Sequence, residues 1–182
     1  MKIRPVKPGD AEALRRINQS ATQGMLLNYS TEDFNDTEAL IANLTSLDHL
    51  LVLETDEDTD SEYNVLAPKG MVVGAILIVV DPQIYLRHTA SVRLISDPEW
   101  RGKGLGRMLM AAALSLADEE LMTERVEMEI PTDNVGALKL CKTSGFHVEG
   151  IAKDLLTTPD GKYLDAYLMA HCPTDAKPSK QK

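Results

Sequence analysis

The residues of this chain whose types and spacing could do chemistry begin with Arg101-Gly102-Lys103-Gly104-Leu105-Gly106, followed at once by Arg107. Three alternating glycines let a backbone turn sharply and leave no side chain over the first N–H groups of a following helix. Those N–H groups and the positive end of the helix dipole favour an anion, and Arg101, Lys103 and Arg107 add charge of the same sign. Two phosphate-binding designs do not fit the spacing. A nucleotide P-loop needs a hydroxyl residue after its lysine, but Gly104 follows Lys103. A dinucleotide fingerprint counted from Gly102 or Gly104 finds Arg107 or Leu109 where its third glycine belongs. On the loop alone, an anion site and a helix start with glycines for close packing are equally good readings.

Other reactive side chains are scattered. Glu127 and Glu129 alternate with Val126, Met128 and Ile130; they could act as a general base through water, or be exposed strand carboxylates. His88 has the right pKa range for a base, and the competing reading is a surface residue. Cys141 and Cys172 lack Cys-x-x-Cys spacing, which argues against a zinc site or a disulfide framework and for a reducing compartment. Asp56, Asp58 and Asp60 match the first three ligands of an EF-hand loop, but Ser61 replaces its glycine and Ala67 its bidentate glutamate. A solvated acidic loop is the better reading, and no metal is expected.

The elements that must position these residues follow from periodicity. The apolar run Ala90–Ile95 before the loop reads as a strand, and Leu105, Met108, Leu109, Ala112 and Leu116 after it recur at helical spacing. Earlier in the chain, Lys2–Val6 is a strand and Asp10 the N-cap of a helix burying Ala13, Leu14 and Ile17. Ser20–Asp36 reads as a loop or broken helix that lines a pocket or covers the core, Thr37–Ser46 as a second helix, and Leu50–Leu53 as a strand. Met71–Val80, almost continuously apolar, reads as a mid-sheet strand covered on both faces. Beyond the loop come the strand Arg125–Ile130, a helix capped by Asp133 or Asn134 and closed by Gly145-Phe146, and two strands around Thr158-Pro159-Asp160-Gly161.

With 182 residues, one domain over 1–172 is expected, with a disordered tail over 173–182. A net charge of −9 argues against a general nucleic-acid binder; it fits cationic small substrates, or simply solubility. No apolar run reaches the length of a membrane span and the opening residues do not resemble a signal peptide, so a cytoplasmic protein is expected.

Arg101 to Gly106 resembles the coenzyme A pyrophosphate loop of the GNAT superfamily of acyl-CoA-dependent N-acyltransferases. At family spacing, Asn134-Val135-Gly136-Ala137 through Gly145-Phe146 resembles that superfamily's Asn-x-x-Ala…Gly-Phe segment, and the element order is similar along nearly the whole chain. The resemblance implies a mixed α/β (α+β) fold. Its sheet would have about seven mostly antiparallel strands, helices on both faces and a central splayed parallel pair holding Leu94 and Met128. It also implies acetyl-CoA as cosubstrate and no metal. Leu94 and Ile95 would offer backbone groups to the pantetheine arm. Arg101, Gly102, Lys103, Gly104, Leu105 and Gly106 would hold the pyrophosphate, with Arg107 adding charge and Asn134 making a polar contact to coenzyme or water.

The stretch from Glu149-Gly150 through Gly161 to Met169 resembles members that acetylate free amino acids or other small primary amines. The resemblance therefore implies acetyl transfer to a small-molecule amine, without nucleic acid or membrane; a homodimer stays open. Two alternatives are a protein N-terminal acetyltransferase and a non-catalytic acyl-CoA-binding module. Cys141 stands where many members carry a tyrosine that protonates the departing thiolate, so it is either a general acid or a packing residue beside Ala137 and Leu138. Arg93 occupies a position where some members carry a glutamate, which puts direct deprotonation from that strand in doubt.

Overall fold

In a computed structural model of the chain, residues 1–20, 37–56, 67–158 and 161–172 are described. The expected loop or broken helix over 21–36, most of the acidic run over 57–66, Pro159 and Asp160 of the expected turn, and the expected tail over 173–182 lie outside them. Seven strands are present: β1 (Lys2–Pro5), β2 (Asp48–Glu54), β3 (Val72–Val80), β4 (Thr89–Ser96), β5 (Arg125–Pro131), β6 (His147–Thr157) and β7 (Tyr163–His171). They form a mostly antiparallel sheet in the order β1-β2-β3-β4-β5-β7-β6. Four α-helices accompany it: α1 (Ala11–Ser20), α2 (Thr37–Ala42), α3 (Leu105–Ser115) and α4 (Val135–Thr143). The fold class is the one the sequence implies. No helix among the described residues is long and apolar enough to cross a membrane.

The chain divides into two compact units, Met1–Val79 with Arg93–Ala113, and Val80–Val92 with Leu114–Lys182. In the first, β3 is buried at every position but Val79, as its continuous apolar run demands. One face of this unit gathers Leu14 and Ile17 of α1 with Leu50, Val52, Val72, Ala75, Leu77 and Ile95. Each buried Leu, Ile or Val of this set contributes about 1.5–3 kcal/mol. The opposite face carries α3. Successive strand residues point to opposite faces, and Gly74, next to Ala75, leaves the space that Leu109 fills. The buried residues of α3 are Leu105, Leu109, Met110 and Ala113, so Met110 rather than Met108 turns inward; Met108 is 37% exposed.

Two other details depart from the sequence reading. The second helix stops at Ala42 rather than Ser46. The Asp10 carboxylate does not reach forward to cap α1. It turns back to accept both guanidinium nitrogens of Arg4, at 2.7 and 2.9 Å, and the Lys7 N–H at 2.7 Å. Arg4 also donates to Glu54 at 2.7 Å, so one cation ties β1 to β2 and to the start of α1.

In the second unit, the parallel ladder between β4 and β5 consists of three pairs, from Thr89 opposite Arg125 to Ser91 opposite Glu127. β5 then pairs β7 antiparallel from Val126 to Pro131, and β7 pairs β6. Asn134 accepts the Ala137 N–H at 3.0 Å and caps α4. Gly145, at φ 85°, ends the helix, and the Phe146 N–H returns to the Cys141 carbonyl at 3.0 Å. Phe146 is then buried against the His171 ring.

Two outcomes check this packing. A Cβ at Gly74 would stand 3.1 Å from the Ile95 carbonyl oxygen and 3.1 Å from Leu109 Cδ1. Gly74→Val should therefore cost about 1–3 kcal/mol by overpacking, read in urea unfolding; wild-type stability would refute the close approach of α3. The hydrogen bonds from Arg4 hold the Asp10 carboxyl below the usual carboxylate range. A depressed folded pKa gives stability that is complete above the unfolded value near 3.9 and is lost as pH falls through the folded one. Asp10→Asn should flatten that acid loss, and an unchanged pH profile of thermal melting would contradict it.

Candidate active site

β4 delivers the chain to the Gly-rich turn. Leu94 is half-buried and Ile95 fully buried at its end, and the Asp97 N–H donates to the Val73 carbonyl at 2.9 Å. The Asp97 carboxylate, 3% exposed as a residue, takes the Glu99 N–H at 3.1 Å and caps the short 3-10 turn Pro98–Trp100. Its other oxygen takes Nη1 of Arg16 at 2.6 Å. Trp100 is fully buried and acts as a stake behind the loop, with the Lys103 ammonium 5.5 Å from its ring centroid. An ammonium over an indole is worth about 0.5–1 kcal/mol at an exposed site.

The loop itself passes twice through the left-handed region, at Gly102 (φ 75°) and Gly104 (φ 85°). Side chains strain such a backbone, which is why glycine occupies both places. A Cβ at either would meet nothing within 4 Å, so the space over the turn is open. The Gly104 carbonyl accepts the Arg107 and Met108 N–H groups at 3.0 and 3.2 Å, which starts α3 at Leu105. The N–H groups of a first helical turn have no acceptor within their own helix. Open space above a helix start, with exposed Arg101 and Arg107 beside it, suits a pyrophosphate. The residues present, Arg101 to Arg107, therefore fit the pyrophosphate of coenzyme A.

In the second unit, Cys141 is completely buried, its Sγ 3.4 Å from Met128 Sδ. Burial pushes its thiol up to about 11. Since Met128 touches α4, strand alternation sends Glu127 and Glu129 to the other face of β5. The structure thus brings Cys141 to Met128 but not to either glutamate. Glu127 accepts from Arg125 Nε at 2.5 Å, and Arg125 also binds Glu149, so this carboxylate belongs to a surface charge network. Glu129 is exposed. His88 is exposed just before the start of β4, at the end away from Leu94 and Ile95, and its carbonyl accepts the Glu124 and Arg125 N–H groups. Among the described residues, no group of three or more His, Cys, Asp and Glu is placed to hold a metal ion.

Sequence reasoning did not find the work of Asp97 and Arg16. An Asp-Pro pair before a turn is a local capping signal that could have flagged Asp97. Arg16 lies 81 positions away, and nothing in its neighbourhood announces the contact.

The chain belongs to the acetyltransferase (GNAT) family, whose model matches residues 22–146. It is 34% identical over 101 residues to the L-amino acid N-acetyltransferase AaaT of Escherichia coli (strain K12). That match covers 56% of this chain and 62% of the relative's length. The fold is similar to that of yncA from Salmonella typhimurium, solved with its cofactor acetyl-CoA, at a TM-score of 0.76 and 21% identity, covering 100% of this chain and 99% of that one. A ribosomal-protein-alanine N-acetyltransferase from Brucella melitensis gives a TM-score of 0.75 at 22% identity, over 94% and 99% of the two chains.

If Arg101–Arg107 holds the coenzyme, acetyl-CoA should raise the melting temperature, because a ligand that binds only the folded state stabilises it. Gly104→Glu, which places a carboxylate on the pyrophosphate's side of the turn, should remove that rise. Undiminished coenzyme-induced stabilisation in the folded variant would refute the assignment.

Proposed function

We propose that the protein is an acetyl-CoA-dependent N-acetyltransferase that passes the acetyl group directly to the primary amine of a small molecule, with amino acids the favoured acceptors. The observation that carries this reading is the glycine turn at the start of α3, left-handed at Gly102 and Gly104 and flanked by three cations. Family membership and the amino-acid-acetylating relative support it.

The cosubstrate supplies a thioester carbonyl. The backbone of Leu94 and Ile95 would orient its arm and Arg101–Arg107 its pyrophosphate, with Asn134 offering its amide nitrogen, since its oxygen already caps α4. The acceptor amine loses a proton, its lone pair forms the new C–N bond, and the C–S bond breaks as the thiolate leaves and is protonated. Orientation of the two reactants can lower such a barrier by about 7–11 kcal/mol. A general acid or base adds about 10²–10⁴-fold, and is the smaller part.

For the base, Glu127 and Glu129 acting through water remain the candidates. To act so, Glu127 would have to leave the Arg125 guanidinium. Cys141 is protonated at neutral pH, as a donor must be, with an acidity near that of a phenol, whose unperturbed pKa is about 10. The packing role is supported by its surroundings: the sulfur is sealed beneath α4 and packs on Met128, which shortens its reach. The same burial is the observation that favours the second reading, a module that binds acyl-CoA without turnover.

A screen of amino acids, polyamines and peptides for free coenzyme A release tests the proposal. Release with small amines supports it, release with peptides alone transfers the activity to protein N-termini, and binding without release selects the module. Cys141→Ala should keep intersecting-line kinetics and lose less than about 10²-fold in kcat, the low end for general acid catalysis. Complete loss of turnover in a folded variant, or an acetyl adduct on Cys141 in mass spectrometry, would instead make the cysteine a nucleophile.

A further inference from the structure

A Gly-rich turn whose backbone is fixed before an anion arrives loses less entropy on binding it, and here the fixing begins at Asp97. This carboxylate is nearly sealed, its side chain 4% exposed, and each oxygen has a task. One caps the 3-10 turn through the Glu99 N–H; the other accepts Arg16 Nη1 at 2.6 Å. The second guanidinium nitrogen of Arg16 donates to the Val72 carbonyl at 3.1 Å, and Asp97 itself is tied through its N–H to the neighbouring Val73 carbonyl. One planar group on α1 therefore joins the start of β3 to the exit of β4, four residues before Arg101.

We infer that Arg16 is a positioning residue for the coenzyme, holding the entry of the anion-binding turn in place through Asp97. The inference rests on the coenzyme reading given above. A nearly buried carboxylate that loses its cation pays for an unpaired charge, and the nearest relief is movement of residues 97–100 toward water. Such movement would swing Arg101 and Gly102, the next residues, away from their set directions. Lysine cannot substitute fully, because its point charge would have to serve Asp97 and Val72 at once where the guanidinium fork reaches both. The Arg16 side chain is 46% exposed and borders an open cleft of about 840 Å3 with Arg15, Gln19 and Gly70, so shortening it opens no void in the apolar core.

The test is calorimetric titration of the full chain with coenzyme A, which needs no acceptor, below the melting temperature of each variant. Arg16→Gln should raise Kd about tenfold, within the range of couplings carried by packed networks, and Arg16→Lys should recover only part of it. On an Asp97→Asn background, Arg16→Gln should add little, because both changes break one interaction. A merely structural ion pair would lower the melting temperature and leave Kd alone. Wild-type Kd in folded Arg16→Gln, or simple additivity in the double variant, overturns the inference. If Arg16→Gln does not fold, Asp97→Asn decides: a raised Kd supports the inference and an unchanged one overturns it. Wild-type protein that binds no coenzyme A overturns the coenzyme reading itself, and the inference with it.

Discussion

A backbone that crosses the left-handed region twice within three residues, at Gly102 and Gly104, is the constraint on which the proposed coenzyme site depends. Glycine permits that path but does not enforce it; a glycine-rich turn without support would sample many shapes and give up the entropy on binding. Enforcement comes from behind. Trp100 is driven fully inside, Asp97 is bonded on both oxygens, and α3 is held against the sheet because Gly74 has no side chain to push Leu109 away. The same turn that leaves its outer side open is closed on its inner side by apolar burial and paired charge.

Binding and proton transfer are unequally provided for. The turn has geometry, charge and support, whereas the ionisable groups of β5 and α4 are divided between the two faces of a single strand. Cys141 lies with Met128 on one, Glu127 and Glu129 on the other. That division is tolerable for direct acetyl transfer, where alignment of thioester and amine outweighs any single acid or base. At position 141 a thiol packs well against the thioether of Met128.

What was legible in the sequence was local. The loop could be read because left-handed positions demand glycine, and β3 because a strand covered on both faces is apolar throughout. Asn134 and Gly145 announced the ends of α4 by their own chemistry. The errors came where local signals were degenerate or overruled. In α3 the period was right and the phase slipped: Leu105, Leu109, Met110 and Ala113 are buried, and a methionine on either side of Leu109 let the stripe be drawn through Met108. Asp10 reads as a helix cap, but Arg4, six residues earlier, offers two charge-assisted hydrogen bonds, and the carboxylate turns to them and to the Lys7 N–H rather than to α1. The contact of Arg16 with Asp97 is tertiary in the full sense and has no sequence signature.

The central claim, that backbone N–H groups of the turn hold the pyrophosphate, is tested most directly by amide hydrogen exchange with and without coenzyme A. The account predicts that exchange slows at Lys103 through Arg107. Unchanged exchange across those amides, in protein that demonstrably binds the coenzyme, would contradict it.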